Sequence, residues 1–309
     1  MFVSLARVAY MYYEQQLTQQ QIASRLHISR IKVSRLLKRA RDTGVVSVKI
    51  EFHGFFPDLE EALVAKFPAS SFVVTEAVDS SAEAVLASLS STAAEYLSDA
   101  IRPGETVAVG WGRTLMRAAK VMSGERSRTT FVPLIGGRAD VGLDVHANSV
   151  ADLMATGMGG RSVAIFSPAL AESSAERDRL LNSPAVNGPL AMAASASTCV
   201  FSVGSLRAAD AAIGTVDYYS DHERELLAAA EAVCDVVSLA YFNAAGDQVA
   251  REISGRTVSV TFDQFLAIPR RVCVAGGESK WEAIRVCLRR GVPSVLITDE
   301  ATARYLLAN

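Results

Sequence analysis

Apolar residues recur at helical spacing through the first forty positions, and beyond residue 70 they gather into short runs separated by glycines and polar turns. Leu5, Val8, Ala9 and Tyr12 share one side of a helix expected over Leu5–Gln16. Ile22, Ala23 and Leu26 form the inner face of a second. Ile31, Val33, Leu36, Leu37 and Ala40 form that of a third. Thr18 stands three residues before Gln21, the spacing of a capping box, and Ser29 can cap the third helix, which Gly44 ends. Val46, Val48, Ile50 and Phe52 then alternate with Ser47, Lys49 and Glu51, as in a strand beside the helices. Tyr10, Tyr12 and Tyr13 read as helix-packing residues.

Gly54 and Pro57 break the pattern, and Leu59–Phe67 reads as a linking helix. Strands are expected at Phe72–Thr75, Thr106–Gly110, Phe131–Ile135, Val163–Phe166, Cys199–Val203, Val236–Phe242, Val258–Thr261, Val272–Ala275 and Val295–Thr298. Helices alternate with them at Ala82–Ile101, Leu115–Met122, Val145–Ala155, after Gly277 and from Ala301 onward. Repeated strand–helix units imply a mainly parallel sheet covered on both faces. The domain plan is therefore 1–53 (three helices and a wing), 54–70 (a linker) and 71–309 (an α/β domain).

Charge changes the reading of the first domain. Residues 1–53 hold nine Lys/Arg against three Asp/Glu, a net +6, and the remainder holds 22 against 30, a net −8. Arg25 to Arg41 contains seven basic residues and no acidic one. A short helix bracing a basic helix is the helix-turn-helix plan, with the second helix in the major groove. Thr18, Gln19, Ser29, Arg30, Lys32, Ser34, Arg35 and Lys38 are the candidate DNA contacts: arginine pairs with guanine, and lysine and hydroxyls hold phosphates. A basic helix face with no partner but water is the plainer alternative. Half the composition is hydrophobic, enough for a sizeable core. The four cysteines lack CxxC spacing and read as core residues of a reducing, cytoplasmic compartment, with no metal or disulfide framework. The N-terminus lacks the pattern of a signal peptide, and no run approaches a membrane span.

Ligands of parallel sheets sit at the carboxyl ends of the strands. Two such ends carry candidate chemistry. In VAVGWGRT, Gly110 and Gly112 permit close backbone approach, Arg113 adds charge, and Thr114 can cap the next helix. In VAGGESK, Lys280 falls where a helix dipole disfavours a cation, a penalty that a bound anion reverses. The first also reads as an ordinary strand-to-helix turn, and the second as an exposed lysine offset by Glu278. In LITDE, Thr298 and Asp299 read as helix caps, with a ligand role the lesser alternative.

These residues carry a resemblance. YYEQQLTQQQIASRL, VSRLLKRAR, GWGRT, PLIGG, YFNAAGDQV and VAGGESKWEAIRVCLRRGVPSVLITDE resemble the SorC/DeoR-like sugar-responsive bacterial transcription regulators over almost the whole chain. The resemblance implies a winged helix-turn-helix joined to a domain like the sugar-phosphate isomerases. It implies operator DNA and a phosphorylated sugar as partners and a dimer or tetramer; the sequence itself displays no convincing acid–base set for an enzyme, and no cofactor is expected. It places a phosphate loop at Gly110, Gly112, Arg113 and Thr114, and a lysine loop at Gly276, Gly277, Ser279 and Lys280. Further effector contacts would fall on Gly136, Gly137, His146, Asn148 and Asp235, although His146 also reads as a structural histidine, Asn148 as a local cap and Asp235 as the start of a strand. The chain departs from the family's pattern at EAVCD, at Leu134–Ile135 and at SVG (202–204), which leaves the sugar open. A sugar-phosphate isomerase or deaminase fused to a DNA-binding module is the competing reading, and an effector-independent DNA-binding oligomer the third.

Overall fold

The computed structural model describes residues 4–46, 56–125, 128–137, 146–206 and 219–309. The chain divides into two compact units, Met1–His53 and Gly54–Asn309.

In the first unit α1 (Leu5–Tyr13), α2 (Gln19–Leu26) and α3 (Arg30–Asp42) enclose a small core of Val8, Met11, Ile22, Ala23, Leu26, Val33 and Leu37. Thr18 and Gln21 form a reciprocal capping box, and Ser29 accepts the N–H of Lys32. His27 ends α2 in the left-handed region (φ 53°), turning the chain sharply into α3. Thr43 caps α3, and Gly44 follows at φ 73°, where a side chain would be strained. Two expectations change, and a third is largely untested. α1 stops at Tyr13 and buries Met11, whereas Tyr10, Tyr12 and Tyr13 are exposed. Ile31 leaves the inner face, which Val33, Leu37 and Ala40 occupy. The strand expected over 45–52 lies outside the described residues from 47 onward, and Val45–Val46 form a bend.

The second unit is built on seven parallel strands in the order β1-β11-β10-β5-β2-β3-β4. They are β1 (Ser71–Thr75), β2 (Thr106–Val109), β3 (Thr130–Pro133), β4 (Arg161–Ser162), β5 (Thr198–Phe201), β10 (Arg270–Val274) and β11 (Val295–Asp299). Successive residues feed opposite faces, as strand geometry requires. Val107, Val109, Val200, Val272, Val274 and Ile297 pack under α5 (Ala82–Ala100), α6 (Arg113–Val121) and α7 (Ala147–Met158). Ala108, Cys199, Phe201, Cys273 and Leu296 face the other core, closed by α4 (Pro57–Lys66), the helices Pro184–Ala194, Trp281–Arg289 and Glu300–Ala308, and a second sheet. That sheet is antiparallel, in the order β6 (Val203–Ser205), β7 (Ala232–Val236), β8 (Ala240–Asn243), β9 (Gln248–Val249). The helix read as a linker thus belongs to this unit: Leu63 of α4 is buried, and Lys66 donates to the carbonyl of Leu307 at 3.0 Å.

The apolar runs of this unit did not all become single strands. Cys199–Val203 divides at Ser202 into β5 and β6. Val236–Phe242 is part of a hairpin whose turn places both Val237 (φ 54°) and Ser238 (φ 60°) in the left-handed region. Val163–Phe166 is irregular because the side-chain amide of Asn148, not a neighbouring strand, satisfies Ile165: it donates to the Ile165 carbonyl and accepts the Ile165 N–H, both at 3.0 Å. Val258–Thr261 makes only isolated bridging with Ile135. Helices at Ser174–Leu181, Pro184–Ala194, Asp221–Ala229 and Phe262–Ala267 were not expected, although Ser173, Ser220 and Thr261 cap three of them.

Candidate effector site and nucleic-acid face

The strand order creates a crevice. After β2 the chain enters α6 on one face of the sheet, whereas after β5 and β10 it enters the other core. The loops therefore part between β2 and β5, which are neighbours, and ligands of open parallel sheets bind at such a point. A cavity of about 630 Å³ lies there. Its polar lining includes Gly112, Arg113 and Thr114 from the β2 end, Ser202 from the β5 end, and Gly276, Gly277, Ser279 and Lys280 from the β10 end. Asp235 enters from β7, and Val85, Leu89, Trp111 and Val203 provide an apolar wall.

The two glycine loops are built differently. Gly112 has φ 128°, open space where a side chain would stand, and no capping side chain, so the N-terminus of α6 opens toward the cavity. Gly110 does not line the cavity; it packs on β5, where a Cβ would lie 3.3 Å from Phe201 Cα. On the other loop, the Asp299 carboxylate accepts the N–H of Gly277 at 2.8 Å and also caps its own helix through Thr302. A Cβ on Gly276 would stand 2.1 Å from Asp299 Oδ2, so only glycine fits beside that carboxylate. The loop then makes a 3₁₀ turn, Glu278–Lys280. Lys280 is thus the residue preceding the helix Trp281–Arg289 and not part of its first turn as expected. The Trp281 indole N–H donates to Thr302 Oγ1 at 3.0 Å and its ring stacks on Tyr305, which anchors the helix start.

Lys280 Nζ donates to Ser202 Oγ at 3.2 Å. Burial lowers the lysine to about 8, and the Arg113 charge acts in the same direction, while Asp235 opposes it. Asp235 is 2% exposed. It accepts the N–H of Ser238 at 2.6 Å and the Tyr219 hydroxyl at 3.3 Å, and Tyr219 continues to Tyr241 at 2.9 Å. Burial raises the Asp235 carboxyl to about 7; its two hydrogen bonds and the Lys280 charge pull the other way. The cavity therefore brings two cations, Arg113 and Lys280, to a glycine-flanked helix start, together with the carboxyl groups of Glu83, Asp235 and Glu278. Asp235 lies close enough to Lys280 for each charge to act on the other.

Besides Gly110, four expected contacts lie elsewhere. Gly136 and Gly137 let the chain at 167–169 approach β3: the Gly137 N–H donates to Ser167 at 2.8 Å, and a Cβ on Gly136 would meet the Pro168 carbonyl at 2.6 Å. The His146 imidazole occupies the space beside Gly137, where a Cβ would lie 1.7 Å from it. Asn148 is engaged with Ile165 as described. None of the four lines the cavity. Ser202, Glu83, Glu278 and the apolar wall were not foreseen; Ser202, the one polar residue between Phe201 and Val203, was the available signal.

In the first unit, Arg30, Lys32, Ser34, Arg35 and Lys38 are all exposed on α3. Thr18 and Ser29 are exposed as well, with their hydroxyls used as caps, and Gln19 is half-buried.

Residues 54–308 match the family model described as "Putative sugar-binding domain", and residues 6–43 match "Sigma-70, region 4". The chain is 34% identical to the transcriptional regulator LsrR of Enterobacter sp. (strain 638), across 98% of this chain and 92% of that one. The chain belongs to the SorC/DeoR-type family of sugar-binding transcriptional regulators. The deoxyribonucleoside regulator of Bacillus subtilis (strain 168) is 28% identical to it over 97% of this chain and 95% of its own. The full-length sorbitol operon regulator SorC from Klebsiella pneumoniae has the same fold, with a TM-score of 0.74, 27% identity and 98% coverage of both chains. In this SorC/DeoR-type regulator, then, the helix-turn-helix unit binds DNA and the α/β unit is the sugar-binding domain. Among the described residues no helix is long and apolar enough to cross a membrane, and no group of side chains is arranged to hold a metal. The cysteines are free and buried, and burial raises the thiols of Cys199 and Cys273, which makes them poor nucleophiles.

Proposed function

We propose that this regulator binds a phosphorylated sugar in the cavity between β2, β5 and β10, and that the sugar adjusts its affinity for operator DNA in the cytoplasm. One observation carries the reading: two glycine loops far apart in sequence, at Gly112 and Gly276–Gly277, open on one cavity with Arg113 and Lys280. A phosphate dianion would accept from main-chain N–H groups at the uncapped start of α6 and from both cations. The sugar hydroxyls would meet Asp235 and Ser202. Binding suits these groups better than turnover. Isomerisation needs a base free to move a proton, whereas the Asp235 carboxylate is held by the Ser238 N–H and the Tyr219 hydroxyl.

Operator recognition would fall to α3, with Arg30, Lys32, Arg35 and Lys38 on bases and phosphates. One helix-turn-helix reads a short site, so a homo-oligomer on a two-fold operator follows. The test is thermal shift with pentose and hexose phosphates, each beside its unphosphorylated sugar. A ligand at 100 times its Kd stabilises the folded unit by about 2.7 kcal/mol. Stabilisation by a sugar phosphate and not by its parent sugar is the expected result, with no turnover of the hit. Equal stabilisation by the parent sugar would remove the phosphate from the account.

A further inference from the structure

Ile31 is 66% exposed on α3, a large β-branched aliphatic side chain among Arg30, Lys32, Arg35 and Lys38. At 3.6 residues per turn, Ala40 sits about 180° round the helix from Ile31. Ala40, Val33 and Leu37 face the core. The opposite stripe therefore runs Ile31, Ser34, Arg35, Lys38, at i, i+3, i+4 and i+7, and all four are exposed. Ile31 lies at its N-terminal end, in the first turn of α3. In helix-turn-helix proteins the first residues of the second helix come closest to the base edges, while later ones approach the backbone.

We infer that Ile31 reads the C5-methyl group of a thymine in the major groove. The thymine methyl is the one apolar group that base pairs present there, and aliphatic side chains meet it by contact. Arg30 and Lys32 flank the isoleucine and can hold the neighbouring phosphates, which would keep the helix at the depth such contact requires. A second protein copy is a poorer occupant of this face. Arg25 to Arg41 carries seven positive charges and no negative one, so two such faces repel each other. The inference rests on α3 being the helix that enters the groove, and the experiment separates the two claims.

The full-length protein is used to select its operator from a random duplex pool. Each thymine of the selected site is then replaced singly by deoxyuridine, which removes the methyl group alone. Affinities are measured for the wild type, Ile31→Ala, Ile31→Val and Arg35→Ala. At one thymine per half-site the wild type should lose about fourfold, the worth of one buried methyl. Ile31→Ala should bind both duplexes equally, and Ile31→Val, which keeps two methyls, should keep most of the discrimination. If every deoxyuridine weakens the wild type and Ile31→Ala alike while Arg35→Ala still weakens binding, the Ile31 assignment is overturned. A change in oligomer mass on Ile31→Ala, with the discrimination intact, overturns it as well. If Arg35→Ala leaves affinity unchanged, the placement of α3 itself fails.

Discussion

The Lys280 ammonium donates to the Ser202 hydroxyl at 3.2 Å, joining the loop after β10 to the end of β5 inside the cavity. Lysine is a strongly hydrated cation, and its burial here is offset by one hydroxyl and by Asp235. Among the described residues no carboxylate forms a salt bridge with this ammonium, and a bound anion would pair with it.

The pH dependence of stability follows from Asp235 and Lys280. Asp235 is raised from 3.8 to about 7. The folded state therefore keeps a proton that the unfolded chain has released, and its contribution to stability is full below 3.8 and lost as pH rises through 7. Lys280 is lowered from 10.5 to about 8. There the unfolded chain binds the extra proton, so stability should rise with pH between 8 and 10.5. Thermal midpoints of Asp235→Asn should lose the acidic slope and keep the alkaline one. An unchanged acidic slope in Asp235→Asn would assign it to other groups.

Gly276 tests the loop without touching a charge. Its Cβ would stand 2.1 Å from Asp299 Oδ2, and that carboxylate also holds the Gly277 N–H. Gly276→Ala should cost about 1–3 kcal/mol, the usual range for overpacking, and weaken effector binding. Urea denaturation and ligand titration check the two effects. Gly110→Ala, with a contact no closer than 3.3 Å, should be milder.

On the DNA side, Lys32→Ala combined with Arg35→Ala should weaken operator binding. Each lost phosphate contact should also reduce the log–log salt slope by about 0.9. A fragment of residues 1–53 should bind operator poorly compared with the full chain, because pairing of protomers supplies the second half-site. Equal affinity of the fragment would contradict the assembly reading.

Local chemistry was legible in the sequence and long-range closure was not. The capping box of Thr18 and Gln21 involves residues three apart, so spacing alone reveals it. The strand-to-glycine turns at Gly112 and Gly276 were readable for the same reason, and both border the cavity. Ile31 was misplaced because a short amphipathic helix leaves the two edges of its apolar stripe ambiguous; only packing against α1 and α2 decides which residues turn inward. The hairpin of β7 and β8 was hidden because its turn contains Val237 and Ser238 in place of glycine. Asp235 holds that turn by accepting the Ser238 N–H, a bond that no propensity encodes. Gly136, Gly137 and Asn148 looked like ligand contacts, yet what they meet is chain at 165–168, which only the fold brings near.

The most direct measurement is an effector titration of operator-bound protein, wild type against Lys280→Met. Methionine keeps much of the volume and removes a half-buried charge, so the variant should fold and hold its operator as the wild type does. The account predicts that a sugar phosphate shifts operator affinity of the wild type, that the parent sugar does not, and that Lys280→Met needs at least about tenfold more effector, the scale of one charge-assisted hydrogen bond. A wild-type response from Lys280→Met at the same effector concentration would contradict it.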